Sequence, residues 1–274
     1  MDDNLIKNNS IESNEYENKK SMLFYILIIT IPLIIIVLIV LLIIYLNKES
    51  EINMIKEYDF YVFQIRNPRI ECLRYDKGNS CMKLYDKLPN GILSIHGLWP
   101  SILNRPVKSY MYVMCTNKDI KVINDGSELF KNLEVYWINE SNIDIWEHEY
   151  KKHGYCYNVR MNYNESNYTF YFNDTFNLYK RLEFDKFIVS NFTPDDNGFY
   201  NFNYSDLNDL IKKKYGKKGY ISCFNYNDTQ LLYEIGFALD LSFKFIEHEG
   251  SEVTGDRKCN ESKIITLINS NFTF

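Results

Sequence analysis

The stretch Ile145-Trp146-Glu147-His148-Glu149-Tyr150-Lys151-Lys152-His153-Gly154-Tyr155-Cys156 decides how this chain is read. It holds two of the four histidines in the sequence, and a third, His96, stands in Ile95-His96-Gly97-Leu98-Trp99-Pro100. Wound as an α-helix, His148, Glu149, Lys152 and His153 point at about 0°, 100°, 40° and 140°, so all four share one broad face. Two imidazoles, a carboxylate and an ammonium can move protons and hold a phosphate without a metal. A zinc site fails on spacing. The His-Glu-x-x-His pattern sets its ligands at i and i+4, whereas His148 and His153 are one residue further apart, which turns their rings about 140° from each other on an α-helix. The plain alternative is a solvated amphipathic helix. Against it, three of four histidines fall in two short motifs.

Working outward, Asn142 or Asp144 can cap this helix and Gly154 reads as its stop. Upstream, Tyr58–Ile65 is an aromatic and β-branched strand. Asn90-Gly91 is a turn, and Ile92–His96 is a second strand that presents His96 at its end. Gly97 then permits close backbone approach. Trp99 is a candidate substrate-binding residue that either stacks on a base or fills the core. Ser101–Asn124 reads as irregular, Glu128–Trp137 as helix and Thr175–Asn191 as one helix. A helix from Ser205 ends in Lys212, Lys213 and Lys214 before Gly216; these lysines suit a helix C-terminus. Leu231–Asp240 and Leu241–Ile246 are strand-like, and His248 reads as an exposed loop histidine. Strands and helices mix without a regular βαβ alternation, which favours an α+β fold.

The segments His96-Gly97-Leu98-Trp99-Pro100 and Trp146-Glu147-His148-Glu149-x-x-Lys152-His153-Gly154-x-Cys156 resemble the two active-site segments of the ribonuclease T2 family. The resemblance runs from about Tyr58 to the C-terminus. It implies a single ribonuclease T2-like domain with a central, mostly antiparallel sheet and flanking helices. It further implies an endoribonuclease that cleaves single-stranded RNA by 2′-OH transesterification to a 2′,3′-cyclic phosphate, with no metal and no cofactor. By the same resemblance His153 is the general base, His96 the general acid and His148 a phosphate ligand, while Glu149 and Lys152 stabilise the transition state. It also implies the pair Cys115–Cys156; Cys72 and Cys81 bracket a polar turn, and Cys223 and Cys259 form the natural third pair. The chain departs from the family pattern at four places. Asn67 stands where a tryptophan precedes proline, Ser101 where an acidic residue follows Pro100, Tyr150 where a tryptophan follows His-Glu, and Tyr155 where a small residue precedes Cys156. The missing tryptophans motivate a second reading, an inactive membrane-tethered binding module of the same fold.

The rest of the chain speaks to place. Residues 1–21 are polar and read as a cytoplasmic tail. Met22 to Leu46 is a 25-residue run without a charge, about 37 Å as a helix and long enough to cross a bilayer. It is too long for a cleaved leader's apolar core, and no small-x-small site follows it. We read it as a transmembrane signal anchor, with residues 47–56 as a stalk and 57–274 as the enzymatic domain. Lys19 and Lys20 precede the span, which favours a cytoplasmic N-terminus. All six cysteines and nine Asn-x-Ser/Thr sequons lie beyond it, which suits the secretory or endolysosomal lumen or the cell exterior. The net charge of −5 excludes a polycation that coats nucleic acid; RNA must be held by a local positive site. The expected partners are RNA and a membrane, and no protein partner is indicated.

Overall fold

A computed structural model of the chain describes residues 28–47, 58–74, 93–102, 120–138, 145–247 and 257–268. It divides into two units, Met1–Met54 and Ile55–Phe274. In the first, helix α1 (Ile28–Asn47) is apolar and exposed throughout its 20 residues. At 1.5 Å per residue it reaches about 30 Å, the thickness of a hydrocarbon core. The first six residues of the expected span, 22–27, and residues 48–56 of the expected stalk lie outside the described residues, while Asn47 ends α1.

The second unit is α+β around one mixed sheet. Its elements are β1 (Phe60–Arg66), α2 (Pro68–Arg74), β2 (Ser94–Ser101), α3 (Glu128–Tyr136), α4 (Ile145–Glu149), a π-helical turn (Tyr150–Gly154), α5 (Tyr155–Arg160), α6 (Thr169–Leu182), α7 (Phe184–Asn191), β3 (Tyr200–Phe202), α8 (Tyr204–Tyr215), β4 (Tyr220–Tyr226), β5 (Thr229–Leu239) and β6 (Ile265–Leu267). Strand β5 is the longest and organises the sheet. β4 runs antiparallel along Thr229–Gly236 on one edge of it. β1, antiparallel, and β6, parallel, divide the other edge. β2 pairs antiparallel with β1, and β3 antiparallel with β6.

Every residue of β1 is buried, so both of its faces are covered. Tyr61, Phe63 and Ile65 point into the main core, with Leu98, Trp137, Tyr157, Tyr171 and Phe172. On the other face Phe60 and Val62 pack with Trp99, Tyr220 and Ala238. Period-two alternation continues that second face through Gln64 and Arg66. The face therefore turns from apolar to polar along a single strand, and the candidate site lies at its polar end. The high aromatic content fills the opposite face, where α6 supplies Tyr171, Phe172 and Phe176.

Several elements differ from the sequence reading. His96 is not at a strand end, because β2 continues to Ser101. Instead, Gly97 pairs with Gln64 while Ile95 pairs with Ile65, so His96 is the extra residue of a β-bulge. The Thr175–Asn191 helix is two helices, broken at Glu183, whose φ of 45° is left-handed. Leu241–Ile246 is not a strand; it folds back through a turn and joins the backbone ladder at a single bridge, Phe245 to Leu239, while Phe243 stacks on Tyr61 of β1. The largest difference is at Gly154, which does not stop its helix. Chain winding continues through the π turn into α5. Gly154 has an ordinary helical φ of −66°; it is glycine because a Cβ there would collide with the rings of Tyr150 and Tyr171.

Candidate active site

The bulge in β2 does what bulges do beside functional sites: it re-aims side chains. His96 and position 97 both face the cleft side, and position 97 must be small. A Cβ there would run into the carboxylate of Glu149 and the indole nitrogen of Trp99. Tyr171 of α6 clamps this part of β2, donating from its hydroxyl to the Leu98 carbonyl at 3.1 Å and accepting from the Leu98 N–H at 3.3 Å.

The π turn supplies the opposite wall. The N–H of Tyr155 bonds to the carbonyl of Tyr150, an i to i+5 bond. Such a turn holds one more residue than an α-turn, so each residue advances by less than about 100° around the axis. Residues five apart, such as His148 and His153, therefore diverge by less than α-helical winding would give. The turn is anchored from behind. The buried hydroxyl of Tyr150 donates to the Glu165 carbonyl at 2.6 Å and accepts from Asn158 Nδ2 at 2.8 Å. Tyr155 donates to Glu165 Oε2 at 2.9 Å. The tyrosines at positions 150 and 155 therefore tie the site helix to the loop that follows it.

Four expected site residues meet directly. Trp99 lies between the two histidines, 4.8 Å edge-on from His96 and 5.4 Å from His153, centroid to centroid. Its Nε1–H donates to Glu149 Oε2 at 2.7 Å, and Glu149 Oε1 is 4.0 Å from His96 Nε2. Trp99 is only 6% exposed. Of its two roles, the ring matches the core-filling one, with its N–H spent on holding Glu149. Ser101 is fully buried, and its hydroxyl donates to the Trp99 carbonyl. His148 is exposed and Lys152 half-buried at the rim of this cluster.

The electrostatics differ group by group. Burial pushes the His153 imidazole well below its ordinary value, and the charges of His96, His148 and Lys152 push the same way. His148 is lowered by burial, then by Lys152, His96 and Arg66. Burial raises the Glu149 carboxyl, against the opposing pull of His96, the Trp99 hydrogen bond, Arg66 and Lys152.

Three residues that sequence reasoning missed surround His96. Glu234 of β5 places Oε1 2.7 Å from His96 Nδ1. The approach is that of an ion pair off the line of a well-formed hydrogen bond, since neither atom has an aligned partner. Burial would raise the Glu234 carboxyl, but His96, Arg257 and Arg66 together outweigh it and hold it below its usual value. Arg257 Nη1 is 3.7 Å from Glu234 Oε2, and Arg66, 4% exposed, ends β1 beside them. The signal for Glu234 was present: it is the one charge in Leu231–Leu239, an otherwise apolar run, and a buried charge needs partners. Among the described residues, no three His, Cys, Asp or Glu side chains are grouped to hold a metal.

Cys223 and Cys259 form a disulfide, with Cα atoms 5.0 Å apart. Cys72 and Cys156 are also disulfide-bonded; the partners expected for them, Cys81 and Cys115, lie outside the described residues. So does His248.

The chain is similar to known proteins in sequence and in fold. Residues 58–259 match the model of the Ribonuclease T2 family. Ribonuclease Oy of Magallana gigas is 28% identical over 217 residues, covering 74% of this chain and 94% of that protein. Ribonuclease T2-like 1-A of Candida albicans is 30% identical over 108 residues, 36% of this chain but only 27% of that longer protein. Among solved structures, an RNase-related protein from Calystegia sepium superposes with a TM-score of 0.60 at 18% identity, covering 78% of this chain and 99% of that one. RNase NT in complex with 5′-AMP superposes with a TM-score of 0.53 at 19% identity, over 74% of this chain and 96% of that one.

Proposed function

This chain belongs to the ribonuclease T2 family and is an endoribonuclease; from that premise we propose that it cleaves single-stranded RNA by transesterification, with no metal. The 2′-hydroxyl attacks the adjacent phosphorus as His153 takes its proton. The O5′–P bond breaks as His96 delivers a proton to the leaving oxygen. The products are a 2′,3′-cyclic phosphate and a 5′-hydroxyl. Neither a protein nucleophile nor a Lewis acid is required by this balance.

The observation that carries the reading is the contrast between two histidines on either side of one buried indole. His153, dehydrated and set beside Lys152, His96 and His148, is pushed toward its neutral form, as a base must be. His96 lies between the carboxyl groups of Glu234 and Glu149, which hold its ring where an acid must deliver a proton. Lys152 supplies fixed positive charge where the phosphorane gains negative charge. A Glu149 carboxyl held toward its neutral form can donate to a phosphoryl oxygen instead of repelling it. His148, exposed at the rim, is placed to meet the incoming phosphate. A neighbour of the same fold holds 5′-AMP, which fits a nucleotide in such a cleft. The test is degradation of single-stranded RNA by the purified chain in EDTA. Cyclic-phosphate ends are expected on the products, and loss of activity in chelator would remove this chemistry.

We place the enzymatic domain, 57–274, outside the cytosol, with 1–21 cytoplasmic, 22–46 as the anchor and 47–56 as the stalk. The exposed apolar helix α1 and the disulfides support this reading. In sealed microsomes the domain is expected to resist added protease until detergent is supplied. Digestion without detergent would reverse the topology.

A further inference from the structure

Glu234 lies behind the reacting groups. It faces Arg66 of β1 and Ser222 of β4 in the sheet register and is 5% exposed. Its two oxygens are divided: Oε1 lies 2.7 Å from His96 Nδ1 and Oε2 3.7 Å from Arg257 Nη1. We propose that Glu234 is a positioning residue for RNA cleavage, fixing the tautomer and orientation of His96, with Arg257 as its tuning counter-charge. The proposal rests on the reading of His96 as the general acid.

A bulge residue such as His96 has no pairing partner on β1 to define its direction. Its ring must be oriented by what it touches. The edge of Trp99 restrains one side, but an indole cannot choose between ring nitrogens. A carboxylate 2.7 Å from Nδ1 can, because even off the line of an ideal hydrogen bond its charge favours a proton on the nearer nitrogen. Nε2 is then the atom that carries the working proton, and it is the nitrogen on the Glu149 side of the ring. At 2.7 Å the same carboxylate also acts electrostatically on the ring, so its removal should be felt in the pH dependence of turnover.

Arg257 is more exposed than Glu234 but is restrained on two sides. Its guanidinium lies over the Tyr233 ring, 5.2 Å from the centroid. The next residue, Lys258, bridges to Ser222 of β4, and Cys259 is joined to Cys223. Charged and titratable groups face His96 from every neighbouring element. Glu149, His148, Lys152 and His153 come from the site helix, Arg66 from β1, Glu234 from β5 and Arg257 from the disulfide-tied segment. Glu71 of α2 sits behind, 3.8 Å from Arg66 and bonded to the Tyr233 hydroxyl.

A structural ion pair and a positioning role predict different things. In the full chain, purified in detergent, Glu234→Gln is expected to lower kcat about 30-fold with KM changed less than about threefold. The alkaline limb of its pH–kcat profile should move about one unit toward acid. Arg257→Gln should move that limb in the opposite direction by a few tenths of a unit, because it unmasks the Glu234 charge. Nitrogen-15 NMR of the histidine rings should show His96 losing its single tautomer in Glu234→Gln and keeping it in Arg257→Gln. Limbs that stay put, or move the same way in both variants, overturn the proposal, as does an unchanged tautomer. If Glu234→Gln does not fold, the sign of the Arg257→Gln shift decides alone. A wild-type chain inactive in EDTA would instead sink the ribonuclease chemistry, leaving the tautomer measurement to stand by itself.

Discussion

The two walls of the cleft use the same side chain in opposite ways. The strand wall holds His96 on a bulge and sets it among Glu234 and Glu149, with Arg66 and Arg257 further out. The helix wall holds His153 on a π turn, buries it to 6% exposure and sets it beside His148 and Lys152. Neither wall relies on regular secondary structure. Each departs from it by one residue at the point where a histidine must be aimed. What separates an acid from a base here is the neighbourhood each irregularity selects.

That contrast can be broken most strongly by removing either histidine. His96→Ala and His153→Ala are each expected to lower kcat on RNA by about 10²–10⁴-fold with the fold retained. Circular dichroism and single-turnover assays would show it. Wild-type turnover in His153→Ala would end the assignment. Glu149 gives a smaller but more informative effect. Glu149→Ala should cost about 10²-fold in kcat and Glu149→Gln less, because an amide keeps a donor for the phosphoryl oxygen. Because the Glu149 pKa is raised by folding, its charged form destabilises the protein once the pH rises through that value. Glu149→Gln should therefore raise Tm at pH 7, and the gain should vanish below the ordinary carboxylate range. A Tm at pH 7 equal to or below wild type would contradict the buried-carboxyl account. His148 should matter least. His148→Ala is expected to raise KM about tenfold with kcat within about threefold, the mark of lost ground-state binding; a kcat collapse would move His148 into the proton-transfer set.

How much of this was legible in the sequence differs between the same two walls. The residue types at positions 96, 148, 149, 152 and 153 announced proton-transfer and phosphate-binding chemistry, and the α+β class followed from the strand and helix patterns. Neither irregularity was legible. The bulge at His96 depends on pairing with Gln64 and Ile65, thirty residues upstream. A π turn carries no propensity signature of its own; this one is held by Asn158 and Glu165 on the following chain. Gly154 misled for the same reason. Glycine punctuates helices when backbone freedom matters, but here it answers to the crowding of Tyr150 and Tyr171. Glu234 was legible only as an anomaly, one carboxylate in an apolar strand.

The π turn makes the site a matter of counting. A helix can exchange side chains at Lys151 without altering where its neighbours point. Deleting one residue between Tyr150 and Gly154 would close the turn to α-helical winding, keeping the flanking helices in phase but changing the spacing of the site residues within it. The five-residue interval from His148 to His153, which ruled out a zinc motif in the sequence, is thus itself the working part. In a lineage that drifts by substitution the spacing would outlast most of the surrounding letters. A single-residue deletion inside it would leave the site residues on an ordinary α-helix.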